Sequence, residues 1–346
     1  MKKKLLALGL AGMMMLGALA GCGGSGDTTP PADNAGDAAQ ADDGGNAAAS
    51  DMKIGLSMSS RDQFLSTLET AVLEDAKAAG VTCNSFDANN DIQQQLNHVQ
   101  TCAADGYSAM IVNLVDSTNA QEIINAAGDM KVVFVNRSPD TALLSDDVMF
   151  VGSNEEDSGS FQGEFLANYF KEKGMNEVSI VMMQGTLGLD HTNKRTEFSI
   201  KGLEDAGIKV NIAYQDTAEY DRAKAMDKFT QFLGTGKHYD AIVSNNDDMA
   251  LGCIEAITST GAKVEVPVLG VDATEGACMA IKEGTMSMSA SQNGYAMGRG
   301  CVDSAIALIE GKAPEGLTDE VMVPIPFEQI DASNVDDMLK QLESAS

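Results

Sequence analysis

The sequence predicts an α/β protein of two doubly wound, parallel-sheet lobes, and three observations carry that prediction. Short apolar runs alternate with segments of helical periodicity from Lys53 onward, the pattern of strands and crossover helices. The alternation pauses at Phe150, Val151 and Gly152 and then restarts as a second series. Most runs also end abruptly on polar residues. The clearest case is Ala241 to Gly252, where an apolar run stops at Ser244, Asn245, Asn246, Asp247 and Asp248, and a helical pattern of Met249, Ile254 and Ile257 follows at once.

In the first series the runs are Lys53 to Met58, Val81 to Phe86, Ala109 to Val115, Val132 to Asn136 and the short Phe150 to Gly152. Helices are expected between them through Leu68, Val72 and Ala76, through Leu96 and Val99, and through Ile123 and Ile124. The second series has runs at Val178 to Met183, Val210 to Tyr214, Ala241 to Ser244, Val266 to Val271 and Met286 to Ala290. Its helices fall around Phe161 to Phe170, Thr196 to Leu203, Ala223 to Phe232, Met249 to Ile257 and Ala277 to Ile281. One more helix, Asn293 to Gly311, one more strand, Glu320 to Val323, and a short terminal helix close the chain. The two halves share an architecture, but no solenoid period repeats.

The N-terminus follows a different logic. Lys2, Lys3 and Lys4 precede an uncharged run from Leu5 to Gly21, the charged and apolar regions of an export signal. Residues 1–22 end Leu19-Ala20-Gly21-Cys22, which resembles the lipobox of bacterial lipoproteins and implies lipidation of Cys22. Residues 23–51 hold six aspartates and no Lys, Arg or aromatic residue, so they cannot bury enough apolar surface to offset ordering entropy. They are expected to be a solvated acidic linker. Such a chain works at the outer face of the membrane, attached through the N-terminal lipid anchor only.

Composition removes several classes of function. Acidic residues outnumber basic ones 51 to 23, a formal charge of -28, so a nucleic-acid backbone is repelled. No apolar segment after residue 22 reaches membrane-spanning length. Three histidines, His98, His191 and His238, lie near no G-x-S-x-G nucleophile elbow, so a lipid-anchored hydrolase is the weaker rival and no catalytic residue is assigned. Cysteine spacing does not resemble a zinc site, and neither metal nor cofactor is expected. Apart from Cys22 the chain has Cys83, Cys102, Cys253, Cys278 and Cys301; Cys83 and Cys102 can be bridged if their Cα atoms come within about 7 Å.

In parallel α/β sheets ligands bind beyond the carboxyl ends of the strands. The side chains there are Asp62 and Phe64 after the first strand, Asn113 after the third, and Asn136 and Arg137 after the fourth. His191 and Arg195 follow the sixth, Asn246 the eighth, Asp272 the ninth and Gln292 the tenth. Their amide, carboxylate and guanidinium forks suit adjacent hydroxyls on a sugar ring, with Phe64 and Tyr220 covering its apolar faces. Each alone serves equally well as a helix cap or turn; the case rests on the set.

At these residues the chain resembles the periplasmic monosaccharide-binding proteins of bacterial ABC importers, the galactose/glucose-binding and ribose-binding family with the type I periplasmic binding fold. The specific matches are Ile111 to Asp116, Val133 to Arg137, Asn245 to Gly252 and Leu269 to Asp272. The resemblance implies that Asp62, Phe64, Asn113, Asn136, Arg137, Arg195, Tyr220, Asn246, Asp272 and Gln292 hold the ligand. It also implies two lobes joined by a three-stranded hinge with the ligand cleft between them: residues 52–152 plus 293–322, and residues 153–292 plus 323–346. The implied partners are a monosaccharide and an ABC transporter permease, with the protein a monomer. Leu189 and His191 stand where the galactose/glucose group has His and Asp, the calcium loop of that group is missing at Lys171 to Glu177, and Arg137 and Gln292 are closer to the ribose type. A polyol, a nucleoside, a furanose signal or presentation of sugar to a membrane sensor are the alternative readings.

Overall fold

In the computed structural model residues 52–345 are described; the lipobox cysteine Cys22 and the linker 23–51 lie outside them. The first sheet is built from β1 (Lys53–Met58), β2 (Thr82–Asp87), β3 (Ala109–Val112), β4 (Lys131–Val135), β5 (Val148–Gly152) and β11 (Met322–Pro324), in the order β11-β5-β4-β3-β1-β2. All its pairings are parallel. Strands buried on both faces read as continuous apolar runs, which is why β3 and β4 stand out in the sequence. Alternate residues serve opposite layers: Ile111 and Val133 pack toward α1 (Gln63–Ala78) and α9 (Gly294–Ile309), whereas Val112 and Phe134 pack toward α2 (Ile92–Ala104) and α3 (Ala120–Ala127).

The second sheet contains β6 (Glu177–Gln184), β7 (Lys209–Thr217), β8 (Ala241–Ser244), β9 (Val268–Asp272), β10 (Met288–Ser291) and β12 (Glu328–Asp331), in the order β12-β10-β9-β8-β6-β7. Helices α4 (Glu155–Glu172) and α5 (Asp190–Asp205) cover one face. Helices α6 (Arg222–Leu233), α7 (Asp247–Thr258), α8 (Glu275–Glu283) and α10 (Val335–Ala345) cover the other. The fold class is therefore the expected one.

Two differences from the sequence reading have physical causes, and the open question of a Cys83–Cys102 bridge is answered. Strand β12, antiparallel to β10, is absent from the expected series because only Ile330 of its four residues is buried. An edge strand with one inward residue has too short an alternation to register. Val323 and Pro324 pair with Val151 and Gly152, and Ile325 N–H donates to the Gly152 carbonyl at 2.8 Å, so the first sheet extends past the expected change of lobe at 322–323. Finally, Cys83 and Cys102 are free thiols, as are Cys253, Cys278 and Cys301. Cys102 packs among apolar side chains of the α2 layer, while Cys83 meets the α1 layer on the opposite face of the sheet.

Candidate functional site

The carboxyl ends of both sheets converge on one narrow cavity of about 20 Å³. It is lined by Asp62, Phe64, Leu65, Asn136, Arg137, His191, Arg195, Tyr220, Asn246, Asp272 and Gln292. Ten of the eleven ligand positions read from the sequence are thus brought together. The exception is Asn113, fully buried behind the cavity, where its side chain bonds Ser59, the Val135 carbonyl and Asn136. It orients Asn136 rather than facing a ligand. Leu65, on the first turn of α1, was missed because nothing in an apolar helical position distinguishes a wall from a core.

Local structure explains how each side chain is aimed. Asp62 caps α1, its Oδ1 accepting Leu65 N–H at 2.7 Å, and Asn246 caps α7 by accepting Met249 N–H at 3.0 Å. Capping consumes one oxygen of each and leaves the rest of the fork free, so the cap and ligand readings of these residues are compatible. On α5, His191 and Arg195 lie one helical turn apart and share a face. Asn136, Tyr220 and Asp272 have φ of 62°, 64° and 115°, conformations that cost non-glycine residues on the order of 1–3 kcal/mol each. Strain at three lining residues marks the cavity as a place where geometry outweighs stability. Gly185 makes room for one of them, since a Cβ there would lie 2.0 Å from the Tyr220 ring.

The hydrogen bonds already made inside the protein show what remains for a ligand. One nitrogen of Arg137 donates to the Leu114 and Val115 carbonyls at 2.8 and 3.3 Å. Arg195 donates through Nε to Glu155 at 2.7 Å and through Nη1 to the Asn245 carbonyl at 2.8 Å. Each guanidinium keeps a further edge of donors. Asp272 is 7% exposed; its backbone carbonyl accepts Gln292 N–H at 3.4 Å, but its carboxylate accepts no hydrogen bond among the described residues and has an Arg195 nitrogen 3.9 Å away. Tyr220 stacks on His191 with ring centroids 5.3 Å apart and holds its hydroxyl 2.6 Å from Thr192 Oγ1.

Burial dominates the electrostatics. It raises Asp272 well above the usual carboxylate range against the pull of Arg195, and it raises Asp62. Burial, then Arg195 and Arg137, push His191 well below the ordinary imidazole value, which keeps it neutral. Burial pushes Tyr220 up to about 12. Burial works against the Arg195 cation, but Glu155, Tyr220 and Asp272 outweigh it. Glu155, the first residue of α4, escaped the sequence reading because the helical start Asn154-Glu155-Glu156-Asp157 reads as an ordinary acidic first turn. No cluster of metal-ligating side chains occurs among the described residues.

Residues 54–313 match the family of periplasmic binding protein domains. The chain belongs to this family. Among its relatives is the D-galactose/methyl-galactoside binding periplasmic protein of Haemophilus influenzae, 31% identical over 310 residues that cover 84% of this chain and 93% of the relative. The ribose import binding protein of Bacillus subtilis is 27% identical over 264 residues, 75% of this chain and 82% of that one. A solved ABC transporter solute-binding protein from Bacillus halodurans C-125, with bound myo-inositol, superposes with a TM-score of 0.77 at 32% identity, covering 86% of this chain and all of that one. Of the departures from the galactose/glucose pattern seen in the sequence, His191, Arg137 and Gln292 lie on the cavity wall of this family member, whereas Leu189 and the segment Lys171 to Glu177 do not.

Proposed function

We propose that this protein captures a small polyhydroxylated ring, a monosaccharide or a cyclic polyol, outside the cytoplasm and delivers it to the permease of an ABC importer. The observation that carries the reading is the Asp272 carboxylate, buried in the cavity with no hydrogen-bond donor from the protein and flanked by unspent guanidinium edges. A ligand hydroxyl supplies the donor that the protein does not, while its oxygen accepts from Arg195 or Arg137. Vicinal hydroxyls satisfy both kinds of fork at once. The galactose-binding and ribose-binding relatives and the neighbour with bound myo-inositol support the same ligand chemistry.

A neutral ligand fits the charge of the site. Asp62 and Asp272 face Arg137 and Arg195, and Glu155 adds one carboxylate that is already paired. Burial favours the protonated forms of Asp272 and Asp62, which lessens that surplus. A sugar phosphate fits less well, because no Gly-rich phosphate cradle accompanies these residues. The lobes close about the crossings that follow Gly152, Ser291 and Pro324, and a ligand drives closure only through contacts made better in the closed state. Lipidation at Cys22 holds the protein at the membrane surface, and the ligand is released unchanged.

A thermal-shift screen of residues 51–346 against hexoses, pentoses, inositols, nucleosides and amino acids tests this reading, since a ligand of the native state must raise its apparent stability. Stabilisation by sugars or cyclic polyols is expected. Stabilisation by nucleosides or amino acids with every sugar and polyol silent would overturn it.

A further inference from the structure

Six buried side chains form an unbroken line of hydrogen bonds from the first lobe into the second. Ser59 Oγ donates to Asn113 Oδ1 at 2.6 Å, Asn113 Nδ2 to Asn136 Oδ1 at 3.2 Å, and Asn136 Nδ2 to Gln292 Oε1 at 3.1 Å. Gln292 Nε2 then donates to Glu155 Oε1 at 3.2 Å, and the other Glu155 oxygen accepts Arg195 Nε at 2.7 Å. The first three residues stand at the ends of β1, β3 and β4; Gln292 and Glu155 stand beside crossings into and out of the second lobe, and Arg195 lies on α5. Every amide in the line points its NH2 toward Glu155.

That common direction has a cause. At one end Asn113 is fixed by backbone, its Nδ2 donating to the Val135 carbonyl at 3.2 Å. At the other end stands a group that only accepts. Two donors, Gln292 Nε2 and Arg195 Nε, arrive at Glu155 from different sides, and a carboxylate meets both. A neutral amide in its place has a single oxygen and leaves one of them facing an NH2 group. The line is therefore held at both ends, by the Val135 carbonyl at Asn113 and by the Glu155 charge at Gln292, and Asn136 and Gln292, which face the cavity, take their donor and acceptor sides from it.

We propose that Glu155 is a positioning residue that ties the ligand-facing Arg195 of the second lobe to the amide line of the first, so that grip on the ligand and contact between the lobes are set together. It does not touch the cavity. The proposal deepens the binding reading for this site, and its test separates the two. In Glu155→Gln, the side-chain amide signals of Gln292, Asn136 and Asn113 in 15N-labelled protein without ligand are expected to shift and to exchange faster with solvent. Asn113 is the decisive reporter, two side chains beyond the nearest contact of Glu155. Ser59→Ala, at the opposite end, is expected to move the Arg195 Nε–H signal, and Glu155→Asp, which keeps the charge, is expected to disturb Asn113 less than Glu155→Gln.

For the probe myo-inositol, Glu155→Gln is expected to weaken binding about tenfold, and Asn113→Ala to blunt that loss rather than add to it. Changes confined to Gln292 and Arg195 in Glu155→Gln, with Asn113 and Asn136 unmoved and Ser59→Ala silent at Arg195, would overturn the proposal. Failure of the wild type to bind myo-inositol would count against the ligand assignment alone, because the amide signals test the line without any ligand.

Discussion

Asp272 concentrates the cost and the purpose of the cavity. Its backbone is held at a φ of 115° and its carboxylate accepts no hydrogen bond from the described residues, so the unliganded protein carries the backbone strain and the burial of that carboxyl. Asp272→Ala is expected to weaken ligand binding by about 2 kcal/mol, roughly 30-fold, while leaving the melting temperature of the ligand-free protein unchanged or higher. Titration calorimetry and thermal denaturation of the same variant measure the two effects. A fall in both by equal amounts would mean that Asp272 holds the fold rather than the ligand.

The same residue gives stability a pH dependence of known sign. An acid whose folded pKa is raised keeps its proton longer in the folded state, so its contribution is complete below the unfolded value and is lost as pH rises through the folded one. Asp272 is raised well above 3.8 by burial. The urea midpoint of Asp272→Asn, relative to wild type, is therefore expected to increase as pH rises above the ordinary carboxylate value of 3.8. His191 runs the other way: burial lowers it, so its contribution is missing at low pH and complete above its ordinary value of 6.5. Comparing variant with wild type at each pH cancels that background. At this scale the sequence displayed the lining residues well, because polar side chains at strand ends are conspicuous. Asn113 looked the same as its neighbours, and only packing shows that its amide is spent on Ser59, Val135 and Asn136.

Helices α4 and α5 show how elements carry the site. Gly163 and Gly202 face each other so closely that a Cβ on Gly163 would lie 2.8 Å from the Gly202 Cα, and one on Gly159 would lie 2.8 Å from the Phe198 Cβ. The contact sets the distance between Glu155 at the start of α4 and Arg195 on α5. Gly163→Ala is expected to destabilise the protein by about 1–3 kcal/mol through overpacking, and to weaken ligand binding although the residue does not line the cavity. Chemical denaturation and calorimetry check the pair; lost stability with unchanged affinity would uncouple helix spacing from the site. Element positions were legible where strands are buried on both faces, as in β3, β4 and β8. They were not legible in β12, whose pairing with β10 depends on a partner distant in sequence.

At the scale of the molecule, α9 packs on α1, and β11 pairs with β5, so a segment late in the sequence completes the first sheet. Periodicity alone does not assign that segment to a lobe, because α9 has the pattern of any buried helix; family resemblance supplied the expectation. Crossings of the chain between sheets allow hinge closure, and small-angle scattering of residues 51–346 is expected to show a smaller radius of gyration at saturating ligand than without it. Equal radii would count against closure as the mechanism of capture.

The central claim is that this cavity binds a neutral polyhydroxylated ring. Titration calorimetry of residues 51–346 with myo-inositol, D-galactose and D-ribose, repeated with Asp272→Ala and Arg195→Ala, tests it most directly. One-to-one binding of at least one of the three is expected, weakened roughly 30-fold or more in both variants while their folding is retained. Binding of none, or binding that survives both substitutions unchanged, would contradict it.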